Sequence, residues 1–258
     1  MSQPRIRLRA LETYVRSVAS AQAFWAEHFN LAHDLFRPGI YQVDDVVWRL
    51  LPGAMPCGTR GPHGSLPAFA VDDFGQARGY LQAHDIPIVF EEILPGMSLL
   101  ICLDPDATPI ELAQATPAGE WDIADRRLLR MRQRQDEAPA GPLALGPLTE
   151  LTLYTHDITA SVRFYRDVLG LPVGLSFFGH VHLVLENVPL VLRGTNWRCK
   201  HPEDTHATEP VFGVDDLHAL TVGLREAGYP PYGVSDRRIS VLDPAGWRLH
   251  FESDDGSN

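Results

Sequence analysis

Residues 214–230 read VDDLHALTVGLREAGYP, and residues 71–87 read VDDFGQARGYLQAHDIP, so the two stretches align without a gap. Two further pairs of blocks occur in the same order and at nearly the same spacing: LETYVRSVASAQAFWAEHFNLA (11–32) with LTLYTHDITASVRFYRDVLGLP (151–172), and LDPDATPIEL (103–112) with LDPAGWRLHF (242–251). Three ordered matches at nearly constant spacing indicate an internal duplication.

The duplication predicts two similar domains, residues 1–114 and residues 148–258, in a chain of 258 residues. Residues 115–147 form the predicted linker, which is rich in proline and glycine around a charged stretch that we expect to be helical. A chain of this length is long enough to form two hydrophobic cores.

Each half contains two smaller units, and the last quarter of the chain shows the pattern most clearly. A strand is predicted over residues 209–214, and Leu217, Leu220, Leu224 and Ala227 then recur at helical spacing. Asp215 or Asp216 is placed to cap the helix, and Gly228 stands where it would end. Strands are predicted to follow, which makes a βαβββ unit. We therefore predict an α+β fold of four βαβββ units, paired into two cup-shaped mixed-sheet domains.

The composition of the chain limits the binding partners and the cellular location that we expect. A formal net charge of -11 disfavours nucleic acid and anionic membranes as partners. The three cysteines form no CxxC pair, and a disulfide framework or a thiolate zinc site is not expected. The N-terminus lacks the apolar segment of a signal peptide, and no apolar run approaches the ~20 residues that span a bilayer. A cytoplasmic location is expected.

Three stretches resemble the vicinal-oxygen-chelate superfamily, which includes glyoxalase I, extradiol ring-cleavage dioxygenases, methylmalonyl-CoA epimerase and antibiotic-resistance binding proteins. They are DITASVRFYRDVLGLPV (157–173), VDDLHALTVGLREAGYP (214–230) and LDPAGWRLHFE (242–252). The resemblance implies that paired units form a cup holding a divalent metal, which acts on a small molecule with vicinal oxygens. Four units in one chain resemble the two-domain dioxygenases, in which the C-terminal domain holds the metal.

The positions of the family's three metal ligands correspond here to Glu150, Glu209 and His250. Strand alternation independently places Glu150 and His250 on polar faces. The dioxygenases carry two histidines and one glutamate, so the additional carboxylate favours Mn, Zn or Mg-like ions over a ferrous site. The metal is expected to be Mn, Zn or Fe. Of the two chemistries that the resemblance implies, glyoxalase-like lyase or isomerase chemistry is favoured over ring cleavage.

The equivalent positions in the first half are Ala10, Leu66 and Glu111. Alanine and leucine cannot bind a metal, which predicts that the N-terminal domain has a degenerate site. The family's acid–base histidine precedes the second ligand, and His201 and His206 are the candidates in that stretch.

Two main functions follow from these residues. The first is a divalent-metal-dependent enzyme, either a glyoxalase-like lyase or isomerase or a ring-cleavage dioxygenase. The alternative is a metal-free, resistance-type binding protein whose aromatic walls would come from Phe177, Phe178, Trp197 and Trp247. A third hypothesis is a regulatory or scaffold role for a protein that has lost its catalytic activity. The oligomeric state is open between a monomer and a homodimer.

Overall fold

The structure is a computed structural model that describes residues 5–31, 37–53, 65–94, 97–115, 141–177, 179–194 and 208–254. The predicted linker helix and the candidate histidines His201 and His206 lie outside these ranges. Within them, strands and helices alternate in the order expected for four repeated units.

The first two units occupy the first half of the chain. Unit 1 contains β1 (Ile6–Val15), α1 (Val18–Phe29), β2 (Ile40–Val43) and β3 (Val46–Pro52). Unit 2 contains β4 (Leu66–Ala70), α2 (Phe74–Ala83), β5 (Ile88–Leu94), β6 (Met97–Leu103) and β7 (Pro109–Ala115).

The other two units follow the predicted linker. Unit 3 contains β8 (Leu148–Thr155), α3 (Ile158–Arg163, continued by a π turn over Phe164–Val168), β9 (Val173–Phe177), β10 (His180–Leu183) and β11 (Leu190–Gly194). Unit 4 contains β12 (Thr208–Val214), α4 (Leu217–Glu226), β13 (Arg238–Leu242) and β14 (Arg248–Ser253), and an isolated bridge between Tyr232 and Ser240 stands in for a further strand.

Local signals in the sequence position the ends of these elements. The side chain of Asp216 accepts a hydrogen bond from the backbone N–H of Ala219 at 2.8 Å and caps α4, as Asp73 and Asp157 cap α2 and α3. Gly228 follows α4 with a φ of 85°, a conformation that glycine adopts without strain.

The two aspartates of the repeated Asp-Pro turns are buried and organise the backbone around them. Asp243 Oδ1 accepts hydrogen bonds from the N–H groups of Ala245 at 2.9 Å and Trp247 at 2.7 Å. Asp104 Oδ1 receives the equivalent bonds from Asp106 and Thr108, both at 2.8 Å. These bonds show why an aspartate opens each turn before the last strand of units 2 and 4.

The strands form two mixed sheets, and each sheet combines one unit from each half of the chain. A six-stranded sheet, here named the 1–4 sheet, has the order β13-β14-β12-β1-β3-β2. An eight-stranded sheet, here named the 2–3 sheet, has the order β5-β6-β7-β4-β8-β11-β10-β9. The α+β class and the pairing of four units into two sheets agree with the prediction. The two sequence halves, however, do not each close a sheet of their own.

The antiparallel pairing of first strands joins the units within each sheet. In the 1–4 sheet β1 pairs with β12, and in the 2–3 sheet β4 pairs with β8. Buried polar contacts support the first of these seams, because Thr13 Oγ1 and Thr208 Oγ1 lie 2.8 Å apart and Trp48 Nε1 donates to Thr13 Oγ1 at 2.8 Å.

The hydrophobic core lies between the sheets and their helices. Trp25 of α1 packs edge-on against Trp48 with ring centroids 4.6 Å apart, and Trp48 stacks on Phe69 at 5.5 Å. The stripe predicted for α4 is buried at Leu217, Leu220 and Leu224. Because the apolar strand faces meet these helices, the polar side chains of the strands project from the opposite faces. Among the described helices, none is long and apolar enough to cross a membrane.

Crosswise pairing makes the halves depend on each other. We expect residues 1–140 and 141–258, produced together as separate polypeptides, to associate into one folded complex, since each supplies one first strand to each sheet. Co-purification through a tag on one fragment, followed by size-exclusion chromatography and near-ultraviolet circular dichroism, would measure this. Two fragments that each unfold cooperatively as monomers and do not associate would contradict the crosswise arrangement.

Candidate metal site

Three ligand-type side chains meet on the polar face of the 1–4 sheet. Glu12 lies on β1, Glu209 on β12 and His250 on β14, and all three are buried. One carboxylate or imidazole atom from each lies within 4.8 Å of the other two. The sheet register brings them together, because Glu12 lies opposite Glu209 and Val211 lies opposite His250.

The imidazole of His250 is held at both nitrogens. Nδ1 lies 2.8 Å from Ser240 Oγ, and Nε2 lies 2.8 Å from Glu209 Oε2. If Nδ1 carries the proton and donates it to Ser240, then Nε2 and Glu209 Oε2 are two acceptors facing each other. Such a contact requires a proton or a metal cation between the two atoms.

Glu209 is almost completely buried and only partly satisfied. Its Oε1 has no hydrogen-bond partner, although the guanidinium Nη1 of Arg248 lies 3.3 Å away. A buried carboxylate oxygen without a hydrogen bond is costly unless a cation compensates it. Tyr14 lies beside Glu209. Burial, together with the negative charge of Glu209, raises the pKa of the Tyr14 phenol to about 12.

Glu12 is held differently, by two arginines. Arg238 Nη1 and Nη2 donate to Oε1 and Oε2 at 2.8 and 2.6 Å, and Arg49 Nη1 donates to Oε1 at 3.0 Å. Burial alone would raise the pKa of Glu12, but the hydrogen bonds and charge of Arg238 outweigh it and lower the pKa. Glu12 is therefore ionised and is a poor proton acceptor.

The structure brings together two of the three predicted ligands, Glu209 and His250, and places the third elsewhere. Glu150 belongs to β8 in the 2–3 sheet, where its Oε1 accepts a hydrogen bond from Arg193 Nη2 at 2.9 Å. The assignment of Glu150 to this site fails because units 3 and 4 contribute to different sheets. Glu12 of unit 1 takes the place beside Glu209, so the first half of the chain supplies a site residue that we had not expected.

Strand alternation offered a signal for Glu12. Glu12 is the one acidic residue of β1, and strand alternation places it on the same face as the polar residue Tyr14. The repeat alignment concealed it, because it matches Glu150 with Ala10 and Glu12 with Thr152. An irregular register between Leu8 and Ala10 further shifts the alternation at the start of β1.

The corresponding region of the 2–3 sheet contains a buried ion-pair cluster. Arg193 Nη1 lies 3.2 Å from Glu111 Oε2, and Arg193 Nη2 lies 2.9 Å from Glu150 Oε1. Both Arg193 and Glu111 are almost fully buried. Burial, together with the charge of Glu150, raises the pKa of Glu111 to about 7 despite the opposing effect of Arg193. One guanidinium thus compensates two carboxylates, and the 2–3 sheet carries a cation of its own.

The aromatic walls proposed for a metal-free binding cup are not supported by Trp247. Its side chain is buried, and Nε1 donates to the backbone carbonyl of Tyr154 at 2.6 Å. Phe178 and Trp197, and the side chain of Phe177, lie outside the part of the chain that the structure describes.

Solved structures with the same architecture match nearly the whole chain. A Bacillus subtilis protein provisionally described as a dioxygenase matches with a TM-score of 0.66 and 13% identity, over 98% of this chain and 86% of that one. Glyoxalase I from Zea mays matches with a TM-score of 0.61 and 15% identity, over 97% of this chain and 93% of that one. No protein-family model and no curated protein sequence matches the chain. The structural similarities show that the chain shares its overall fold with these two proteins.

The raised pKa of Glu111 predicts a specific pH dependence of stability. A carboxyl whose pKa is higher in the folded state binds more protons when folded, so stability decreases as the pH rises from about 4.5 towards 7. We expect wild-type protein to lose on the order of 2 kcal/mol more than Glu111→Gln across this window. Urea unfolding at several pH values would measure the difference.

The matched control is Glu226→Gln, which changes an exposed glutamate of α4 and should follow the wild-type profile. Parallel profiles for wild type and Glu111→Gln would show instead that Arg193 keeps Glu111 ionised throughout the range.

Proposed function

We propose that the protein is a divalent-metal-dependent enzyme acting on a small molecule with vicinal oxygens, with Glu12, Glu209 and His250 as the metal ligands. The observation that carries this proposal is the convergence of two buried carboxylates and one imidazole on the polar face of the 1–4 sheet. Two carboxylates and a histidine match the ligand count of a facial triad that leaves positions open for substrate.

The three residues lie near enough to share an ion if their side chains rearrange. Two atoms each bound at about 2.2 Å to one ion lie about 3.1 Å apart when they stand at right angles, as in a facial triad, and no more than about 4.4 Å apart in any arrangement. The ligand atoms here lie within 4.8 Å of one another, so metal binding requires the side chains to move closer together. Ser240 also occupies the position of an outer partner, since a metal-bound imidazole usually donates its other N–H to a nearby acceptor.

The donor set favours proton transfer over oxygen chemistry. When bound, a divalent ion would polarise two vicinal substrate oxygens and acidify the adjacent C–H bond. Two carboxylates and one imidazole suit Mn, Zn or Mg-like ions, which is why we favour glyoxalase-like isomerase or lyase chemistry over ring cleavage.

The protein's own residues can position a substrate and move its proton. Both oxygens of Glu12 are engaged by arginines, and Arg248 Nη1 lies 3.3 Å from Glu209 Oε1, so neither carboxylate is assigned the role of the base. His201 and His206 remain proposed acid–base residues.

Metal-free ligand binding is the second candidate, and the charge balance around Glu12 favours it. Arg238 and Arg49 compensate this carboxylate without any ion. A binding protein of this kind would be stabilised by its ligand to the same extent with and without a chelator, whereas a metal enzyme would not.

Metal titration of the chelator-stripped chain tests the proposal. We expect isothermal titration calorimetry to show one equivalent of Mn²⁺ or Zn²⁺ bound by the wild type. The variants Glu12→Gln, Glu209→Gln and His250→Ala should each lose more than the roughly 10–100-fold in affinity that removal of an outer-shell partner costs.

Glu150→Gln is the matched control, because it removes a carboxylate of the same type from the other sheet. It should bind metal like the wild type. Absence of stoichiometric metal from the wild type after reconstitution would reject the metal-dependent function.

A further inference from the structure

Among the three proposed ligands, Glu12 has both carboxylate oxygens engaged by arginine. Arg238 grips them bidentately at 2.8 and 2.6 Å, and Arg49 adds a contact to Oε1 at 3.0 Å. Glu209, in contrast, has one oxygen on His250 and another that accepts no hydrogen bond. The site is therefore asymmetric. Glu209 contacts His250 and has Arg248 Nη1 3.3 Å from its Oε1, whereas Glu12 is held bidentately by the guanidinium of Arg238.

Arg238 also has a second acidic neighbour. Its Nη1 lies 3.2 Å from Glu252 Oε1, and the two residues face each other across the β13–β14 ladder. Because Glu252 is in place, Arg238 can release Glu12 without losing every acidic partner. An exchange of partners on one guanidinium avoids the cost of leaving a partly buried charge uncompensated.

We propose that Arg238 competes with the divalent cation for Glu12 and so sets the affinity of the site for metal. The guanidinium of Arg238 and the ion are alternative partners of Glu12, while Arg49 keeps its contact with Oε1, and Glu252 receives Arg238 when the ion binds. Arg238 acts on the metal only through Glu12, so it is a positioning residue and not a ligand. The inference rests on the proposed metal site. It predicts that removing Arg238 increases the affinity for metal, whereas removing a residue that merely supports Glu12 would decrease it.

Competition and simple support predict opposite changes in metal affinity when Arg238 is removed. Removing a positive charge a few ångströms from a dication strengthens metal binding, even in a medium of high effective dielectric constant. Removing an arginine that only orients the ligand would weaken binding, because Glu12 would lose its orientation. The direction of the change in affinity therefore separates the two roles.

Mn²⁺ binding to the full chain, measured by electron paramagnetic resonance of free Mn²⁺ and by calorimetry, tests the proposal. We expect Arg238→Gln to bind Mn²⁺ roughly tenfold more tightly than the wild type. Arg238→Lys, which keeps the charge but loses the bidentate grip, should fall between them. Arg237→Gln, which removes an exposed arginine next in sequence, is the charge-matched control and should not change the affinity.

A second variant keeps the proposal testable if Arg238→Gln does not fold. Glu252→Gln removes the charge of the alternative acceptor, so Arg238 should hold Glu12 more firmly and Mn²⁺ binding should weaken several-fold. Unchanged or tighter binding by Glu252→Gln would overturn the proposal, as would unchanged or weaker binding by Arg238→Gln.

The outcomes also separate this inference from the proposed function. Mn²⁺ binding by Arg238→Gln but not by the wild type would support competition by Arg238 and reject the native protein as a metal enzyme. Binding by neither protein would reject both proposals.

Discussion

The antiparallel pairing of first strands sets the arrangement of both sheets. A unit whose strands run first-last-middle leaves its first strand open on one side, and the open N–H and C=O groups must find another strand. Here β1 pairs with β12 and β4 pairs with β8. This choice of partners, rather than pairing within each half, determines which side chains share a polar sheet face. It places Glu12 opposite Glu209 and separates Glu150 from both Glu209 and His250.

Both sheets contain buried carboxylates, and different residues compensate the negative charge in each sheet. Buried carboxylates require a compensating charge, because the penalty of removing an ion from water is several kcal/mol. In the 2–3 sheet Arg193 reaches Glu111 and Glu150 and serves as an internal cation. In the 1–4 sheet Arg238 and Arg49 compensate Glu12, while Glu209 is left with His250, Arg248 and an oxygen without a hydrogen bond. The 1–4 sheet is the better candidate for a cation because, among the residues that the structure describes, Glu12, Glu209 and His250 are three ligand-type side chains whose atoms lie within 4.8 Å of one another.

Much of the fold could be predicted because its signals are local or repeated. The caps of α2, α3 and α4, the glycine after α4 and the buried turn aspartates depend on residues a few positions apart. The family resemblance pointed to Glu209 and His250, and the structure places these two residues side by side, with His250 Nε2 2.8 Å from Glu209 Oε2. It did not point to Glu12, because the alignment of the halves places Ala10 at the expected position. The register irregularity near Ala10 and the partner chosen by β1 lie outside what a repeat alignment contains.

Residue patterns within each unit were enough to predict the four units, their helices and strands, and the types of residue available for a site. Hydrophobic period, capping and turn chemistry act within a unit, so they can be recognised without knowing where the unit lies. The three-dimensional fold was needed to learn which units share a sheet, and therefore that unit 1 rather than unit 3 completes the candidate site of unit 4. The ambiguity arises because four similar units present similar open first strands. Strand hydrogen bonding is similar for each choice of partner, so a local pattern does not distinguish them, whereas contacts such as the ion pair of Arg7 with Asp254 form only when units 1 and 4 lie together.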